Sequence, residues 1–452
     1  MDLSLLKNNG VHRLYINSTS PDVSGLVFLL VMTLAGGNKL ITENSIQTEE
    51  KVNNIKVLKF GGSSVADFNK IRHIADYLKK RVEQNEKLVV VVSAMGKTTD
   101  ALLKNAASLT ERPKESALAM LLTTGEQQTI AYLSIILNDL SVESVALTGA
   151  QAGIRTEGHH LKSKIQTINT TKLQELFKTK DIIIVAGFQG INHEDELTTL
   201  GRGGSDTTAV ALAASLQSSC EIYSDVTGIF GTDPRVYPET MKMDYVSFEE
   251  MMELSSLGAG VLETRCIEIA YNNNTKIYTG KTLSEEKGTW IVPNKQIIER
   301  KAVTGIALDE DMNYVTLSYP MHDTKVLTSL YELLEQNQIN IDMISQTVNI
   351  DGMQLSFTMK NTEQYQIKAI IDQLTASYPA LLHEIKDNYA KVSIIGSGMR
   401  DMSGVASKVF MSLIEEQIAY YQVSTSEISI SLVVDAGKAK QAVQILCKKF
   451  NV

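Results

Sequence analysis

Several residue types are scarce in this sequence, and each shortage removes a class of protein. Only three cysteines, Cys220, Cys266 and Cys447, occur in 452 residues. They are far apart and form no CxxC pair, which excludes a disulfide scaffold and any ordinary zinc-finger spacing. Three reduced, buried thiols in a cytoplasmic protein are the expected state. Basic charge is also short: 43 Lys and Arg stand against 52 Asp and Glu, a net charge of -9. That balance argues against a general binder of nucleic acid or anionic membrane. The apolar run Leu26 to Met32 falls well below the ~20 residues needed to span a bilayer. There is no GxGxxG for a dinucleotide. Gly96-Lys97-Thr98 does not close a Walker loop, because Val91 stands where that motif requires glycine. The pair His159-His160 has no HExxH context and is expected on loop surface rather than at a metal.

What remains is a soluble globular composition, 43% hydrophobic and 21% charged, long enough for two or three domains. Residues 1–52 carry no regular alternation and are expected to be an extension, disordered or a non-native start. From Asn54 short apolar runs alternate with helical stretches. Ile55 to Phe60, Leu88 to Val92, Val142 to Leu147, Ile182 to Ala186 and Glu221 to Ser224 read as strands. Ala66 to Asn85, Lys114 to Leu137 and Thr207 to Leu216 read as helices. Such spacing predicts an α/β domain over 53–293, with a mainly parallel sheet between two helical layers.

A polar linker over 294–303 follows, and then one grammar occurs twice. Tyr314–Ser318, Lys325–Gln336, Ile339–Ile344, Met353–Met359 and Gln364–Leu374 predict a βαββα unit within 304–378. Lys391–Ile395, Val405–Glu416, Ile418–Val423, Ile428–Val434 and Lys438–Lys448 predict a second within 389–452. The offset of about 77 residues marks an internal duplication. Units this small need a neighbour to cover their sheets.

Three glycine-rich loops follow strands of the first domain, at the strand ends where α/β sheets bind ligands. Lys59-Phe60-Gly61-Gly62-Ser63-Ser64 offers backbone N–H groups, a cation and the start of a helix to an anion. The alternative is a tight turn with its lysine in solvent. Gly201-Arg202-Gly203-Gly204-Ser205-Asp206-Thr207-Thr208 places a cation, a carboxylate and several N–H donors within a few residues. That combination is costly to build as mere structure. The third loop runs from Tyr223-Ser224-Asp225 to Asp233-Pro234-Arg235.

At these residues the sequence resembles the aspartate kinases of the amino-acid kinase fold. The resemblance is carried by Lys59 to Val65, Ser93-Ala94-Met95-Gly96-Lys97-Thr98-Thr99-Asp100, Thr124-Gly125-Glu126-Gln127, Leu147 to Gly153, Ala186 to Gly190, Gly201 to Thr208 and Ser224 to Arg235. It implies that MgATP phosphorylates the β-carboxylate of L-aspartate, opening the route to lysine, threonine and methionine. It implies Lys59 and Asp206 as catalytic groups. Arg202 is expected to hold the α-carboxylate of aspartate and Glu126 its α-ammonium, with Ser93, Thr98, Gly203, Gly204 and Ser205 around them. ATP is expected against Lys59, Gly61, Gly62, Ser63, Ser224, Asp225, Phe230, Asp233 and Arg235. No side chain is assigned as a dedicated metal ligand.

The C-terminal pair resembles the ACT regulatory domains of the same family. Asp342, Gln346, Ser426 and Glu427 fall in the segments that take amino-acid effectors, which implies lysine or threonine as inhibitor and a homodimer or larger homo-oligomer. The sequence also departs from its relatives. Gly258-Ala259-Gly260-Val261-Leu262 has glycine where the family carries a nucleotide-facing lysine, leaving Lys97 or Lys281 as substitutes. Asp323-Thr324-Lys325-Val326 and Asp401-Met402-Ser403-Gly404 replace the usual Pro-Gly turns. Three alternatives stay open: a sister enzyme such as a glutamate kinase, an impaired amino-acid sensor, and ACT units that serve only to join subunits.

Overall fold

The structure, a computed structural model, describes residues 54–452 apart from 259, 298–300, 321–324 and 350–351; before residue 54 it describes three strands. Ala259, Asp323 and Thr324 therefore lie outside the described residues. The chain divides into two compact units, Met1–Val52 and Asn53–Val452. Within the first, Asp2–Asn8 and Val11–Asn17 pair antiparallel, and Leu30–Met32 pairs with the latter. Asn9-Gly10 between the first two is a turn signal that favours such pairing.

The second unit begins with the anticipated alternation: β1 (Ile55–Phe60), α1 (Phe68–Glu83), β2 (Lys87–Val92), α2 (Thr98–Leu109), α3 (Glu115–Asp139), β3 (Ser144–Leu147), β4 (Ile182–Ala186), α4 (Gly204–Ser215) and β5 (Cys220–Ser224). β6 (Tyr245–Ser247), α5 (Phe248–Ser256), α6 (Thr264–Asn272), β7 (Ile277–Lys281) and β8 (Thr289–Val292) complete it. The eight strands line up as β6-β8-β7-β5-β1-β2-β4-β3 and are parallel at every pairing but β7–β8. β2 is buried on both faces, Val89 and Val91 in one core and Val90 and Val92 in the other. A strand covered twice must be apolar throughout, which is why its sequence shows no alternation. The chain runs from β1 through α1 to β2 on one side and returns from β4 through α4 to β5 on the other, so the carboxyl end of β1 is a switch point where a crevice opens. A smaller sheet of Leu197–Thr199, Gln189–Ile191, Ile154–Glu157 and Lys164–Ile168 leads into the second glycine loop.

The duplicated units follow as β9 (Gly305–Tyr319), α7 (Lys325–Gln336), β10 (Asp342–Asn349), β11 (Gly352–Lys360), α8 (Gln364–Ser377), β12 (Leu382–Ile395), α9 (Val405–Glu415), β13 (Tyr420–Thr425), β14 (Ser429–Asp435) and α10 (Ala436–Phe450). They share one antiparallel sheet, β10-β11-β9-β12-β14-β13. β9 and β12, at 15 and 14 residues, are about three times the length the sequence suggests, because each serves both units. Gly305–Asp309 pairs with Lys391–Ile395, and Met312–Ser318 pairs with Leu382–Tyr389 across a register shift. Each repeat thereby borrows a strand from the other, which covers the edge that a lone unit would expose.

This sheet docks on the α/β domain through α5. Glu250, buried at 3% exposure, closes the capping box of α5 with Ser247. Its other oxygen accepts from Thr304 Oγ1 (2.7 Å) and Ser397 N (2.9 Å) of the C-terminal half. Burial works to raise its pKa, but the bonds from Ser397, Thr304 and Ser247 hold the carboxyl below its ordinary value. Beside it, Ile306 N donates to Gly231 O at 2.7 Å, tying the regulatory strand to the third glycine loop.

Candidate active site

A cavity of about 300 Å³ opens at the carboxyl end of β1. Lys59, Gly62, Ser93, Glu126, Arg202, Gly203, Gly204, Ser205 and Asp206 line it, with Ala94, Gly96, Thr99, Phe188 and Gly201. These residues come from segments far apart in sequence. Small residues are what let them converge. A side chain at Gly125 would meet the Ala94 methyl at 2.8 Å, so only glycine lets α3 approach the Ser93–Gly96 loop closely enough to present Glu126. Gly96 N donates to Gly62 O at 3.1 Å and Ser93 N to Phe60 O at 3.2 Å, locking that loop to the first glycine loop.

Lys59 is 7% exposed, and its Nζ lies 2.6 Å from Asp206 Oδ1. The approach is off the axis of a good hydrogen bond, and Asp206 Oδ1 has no other partner. Glu126 is 3% exposed. Its Oε1 accepts from Ala94 N at 3.2 Å, whereas Oε2 is buried without a partner. Desolvation pushes the Glu126 carboxyl up to about 7, against backbone hydrogen bonds that favour the ionised form. A buried carboxylate oxygen left unpaired in a cavity is a receptor for a hydrogen-bonding cationic group.

The two glycine loops divide their work differently from expectation. The loop after β1 does not open directly into a helix: α1 starts at Phe68, and Asp67 caps it by accepting from Lys70 N at 2.9 Å. Its positive end is thus already satisfied. At the second loop, Gly203 (φ 64°) is itself the N-cap of α4 and brings no capping side chain. The N–H groups of Ser205 and Asp206 have no partner among the described residues, as expected for the first turn of a helix. The helix-end potential therefore belongs to the Arg202 loop. The loop after β1 contributes the equally unengaged N–H groups of Gly62 and Ser63, while Gly61 N already donates to Tyr223 O at 3.2 Å.

Other expected positions lie elsewhere. Thr98 does not line the cavity; its hydroxyl donates to Met95 O at 2.7 Å, and Thr99, one residue on along the helix, faces in. Ser224, Asp225, Phe230, Asp233 and Arg235 stay outside the cavity wall. Ser224 ends β5, its carbonyl accepts from Thr282 N at 2.8 Å, and Thr282 reaches Ser64 Oγ at 2.5 Å, so this edge adjoins the first loop. Asp233 and Arg235 bind one another instead, Nη2 to Oδ2 at 2.7 Å, at the surface. Lys97 and Lys281 are exposed, and so is Gly260. In the regulatory half, Asp342 pairs with Lys391 and Glu427 with Arg400. Gln346 Nε2 lies 3.4 Å from Tyr319 OH, and Ser426 Oγ 2.8 Å from Ser429 Oγ. Asp342 and Glu427 thus belong to different repeats, in contact with different partners. The wall residues Ala94, Phe188 and Gly201 fall within segments that carry the family resemblance but are not among the expected site residues. Among the described residues no cluster of His, Cys, Asp and Glu has the makings of a metal cage, and no helix is long and apolar enough to cross a membrane.

Residues 54–279 match the amino acid kinase family and residues 392–450 an ACT domain. Aspartokinase 2 of Bacillus subtilis is 40% identical over 397 residues, covering 88% of this chain and 97% of its own. The chain belongs to the aspartokinase family. An aspartokinase of Helicobacter pylori agrees at 37% identity over 396 residues, 86% of this chain and 97% of its own. Escherichia coli aspartokinase III, solved with aspartate and ADP, shares the fold with a TM-score of 0.72 at 22% identity, over 88% of this chain and all of that one. The same enzyme solved with lysine and aspartate gives 0.70 at 23% identity, over 88% and 99%. Aspartokinase likeness along nearly the whole folded unit favours that reading over a sister kinase or a bare sensor.

Proposed function

We propose that this chain transfers the γ-phosphoryl group of ATP to the β-carboxylate of L-aspartate, giving ADP and 4-phospho-L-aspartate. The observation that carries this reading is the free Oε2 of buried Glu126 sharing one cavity with Lys59 and Arg202. An amino acid needs an anion for its α-ammonium and a cation for its α-carboxylate, and aspartate needs a second cation where phosphate arrives. Glu126, Arg202 and Lys59 fill those three roles, with Ser93, Gly203, Gly204 and Ser205 shaping the wall.

The acceptor is already ionised at neutral pH, with a reference pKa of about 3.9, so no general base is needed. Catalysis reduces to bringing two anions together and neutralising the transferred group. Lys59 and the free N–H groups of Gly62 and Ser63 suit the phosphate oxygens. Asp206 holds the Lys59 ammonium toward them. The donor set also fits Mg²⁺ carried on the nucleotide, since that ion prefers one or two carboxylates plus phosphate oxygens to a protein cage. Asp206 is the carboxylate available, and the ion would neutralise phosphate charge. Ser224, Asp225, Phe230, Asp233 and Arg235 border the nucleotide, and Gly61 supports the loop beneath it.

Lysine or threonine is the inhibitor in this reading, taken up near Asp342, Gln346, Ser426 and Glu427, and the enzyme works in the cytoplasm. A homodimer forms through the regulatory sheet, whose edge strand β10 exposes Ile344 at 53% and Val348 at 61%. The test is to trap acyl phosphate with hydroxylamine from ATP and aspartate, with glutamate in parallel and with lysine or threonine added. Aspartyl hydroxamate that falls when lysine or threonine is present is the expected result. Glutamyl hydroxamate alone, or none, would overturn the proposal.

A further inference from the structure

The loop that carries Arg202 is held from below by a second arginine that no motif marks. Arg265 sits in the first turn of α6. Its two terminal nitrogens donate to Leu200 O and Ser163 O, each at 3.0 Å. Leu200 immediately precedes the glycine loop, and Ser163 precedes the small-sheet strand Lys164–Ile168 that flanks it. The two carbonyls belong to adjoining segments, because Ser163 N donates to Thr199 O at 2.9 Å. One planar guanidinium therefore fixes both at once, as a rigid fork can and a flexible ammonium cannot. Burial pulls its pKa below the ordinary arginine value, with Glu268 opposing. No carboxylate forms an ion pair with it among the described residues. A half-buried cation committed to two carbonyls is a costly way to brace a loop, so the brace has a use.

A second contact from the same helix end presses on the loop. Glu263, the N-cap position of α6, packs over Gly203 so tightly that a Cβ there would fall 2.0 Å from Glu263 Cγ. Arg202 itself is exposed, and the glycines on either side of it, Gly201 (φ 77°) and Gly203 (φ 64°), make the loop flexible by composition. Its direction is therefore set by the backbone that flanks those glycines, and that backbone is what α6 grips.

We infer that Arg265 is a positioning residue for aspartate: by clamping Leu200 and Ser163 it aims Arg202 at the α-carboxylate of the acceptor. This rests on the reading of the cavity as an aspartate site. Arg265→Lys keeps the charge and the stem but can satisfy only one carbonyl at a time. It is expected to raise KM for aspartate about tenfold, while KM for ATP stays within about twofold. Amide hydrogen exchange at Gly201–Ser205 is expected to quicken in the variant, with β1 and β2 unchanged. A merely structural role would instead lower Tm and move both KM values together, and that outcome overturns the inference. So does unchanged exchange in the loop. If the wild-type protein makes no aspartyl phosphate, the functional reading fails, and loop exchange alone still decides whether Arg265 positions it.

Discussion

The two sides of Lys59 are built differently. On the acceptor side, one cavity gathers Glu126, Arg202 and Asp206; Glu126 Oε2 is buried without a partner, and Asp206 Oδ1 meets only the Lys59 ammonium. In the proposed reading the nucleotide meets a more open border of Ser224, Asp225, Phe230, Asp233 and Arg235, which lie outside that cavity and of which Asp233 and Arg235 already satisfy each other. Buried polar atoms left unpaired cost stability unless a ligand completes them. That arrangement suits the small zwitterion proposed as acceptor. The open border carries little of that penalty, and a large nucleotide with its own metal can bring its own order. Lys59 stands at the seam and answers to both sides.

The strongest way to break this contrast is at the seam. Lys59→Met removes the cation that faces transferred phosphate and leaves Asp206 without its 2.6 Å partner. A drop of about 10²–10³ in kcat is expected, the usual loss for one preorganised charge at a developing anion. Coupled measurement of ADP release reads it, and a fall below tenfold would place the phosphoryl group elsewhere.

Glu126 sharpens the acceptor side alone. Glu126→Gln is expected to raise KM for aspartate about 10- to 100-fold, the worth of a charged hydrogen bond, with KM for ATP little changed. The pH dependence has a definite sign. The ionised carboxylate binds ammonium, so wild-type KM for aspartate should fall as pH rises through about 7, and the variant should be flat. Stability of the ligand-free protein runs the other way. A carboxyl raised from 4.5 to about 7 stabilises the fold below its unfolded value and loses that contribution as pH climbs through the folded one. The variant should therefore melt a few degrees above wild type at pH 8, from a difference on the order of 3 kcal/mol. Near pH 4 the two should coincide. Equal melting at both pH values would mean that Glu126 is ionised without cost.

How much of this was readable before folding follows the same divide. Lys59, Arg202 and Asp206 stood out locally as charges set among glycines in short segments, whereas Glu126 and the roles of all four came only from the family resemblance. The apolar runs of β1, β2 and β4 were legible locally as well, since burial on both faces leaves no other composition. Thr98 and Thr99 were not separable: one step along a helix turns the side chain by about 100°, and only packing against Ala94 and Met95 decides which faces in. Asp67 as a cap was easily overlooked, because a loop followed by a helix suggests an open N-terminus until the capping contact is seen. Arg265 was invisible, since its partners are carbonyls 65 and 102 positions away. The sharing of β9 and β12 between the two repeats was equally beyond reach. It depends on a register shift between Asp309 and Met312, which no periodicity in one strand announces.

Gly260 tests the nucleotide side, and its expected effect is the smallest. It stands where the family resemblance leads one to expect a lysine, in the stretch before α6 that ends at Glu263. It is exposed, and nothing lies within 4 Å of where its side chain would begin. Its φ is not left-handed, so a lysine enters without backbone strain. If the open border lacks one phosphate-facing cation, Gly260→Lys should lower KM for ATP several-fold, consistent with an exposed charge acting through water. The gain should shrink as salt is raised from low ionic strength to about 0.5 M, because a charge on an open surface is screened. KM for aspartate should not move, since Gly260 does not line that cavity. A gain for aspartate as well would show that the two sides are not independent, and an unchanged KM for ATP would show that Lys59 and the loop N–H groups already neutralise the phosphates without help.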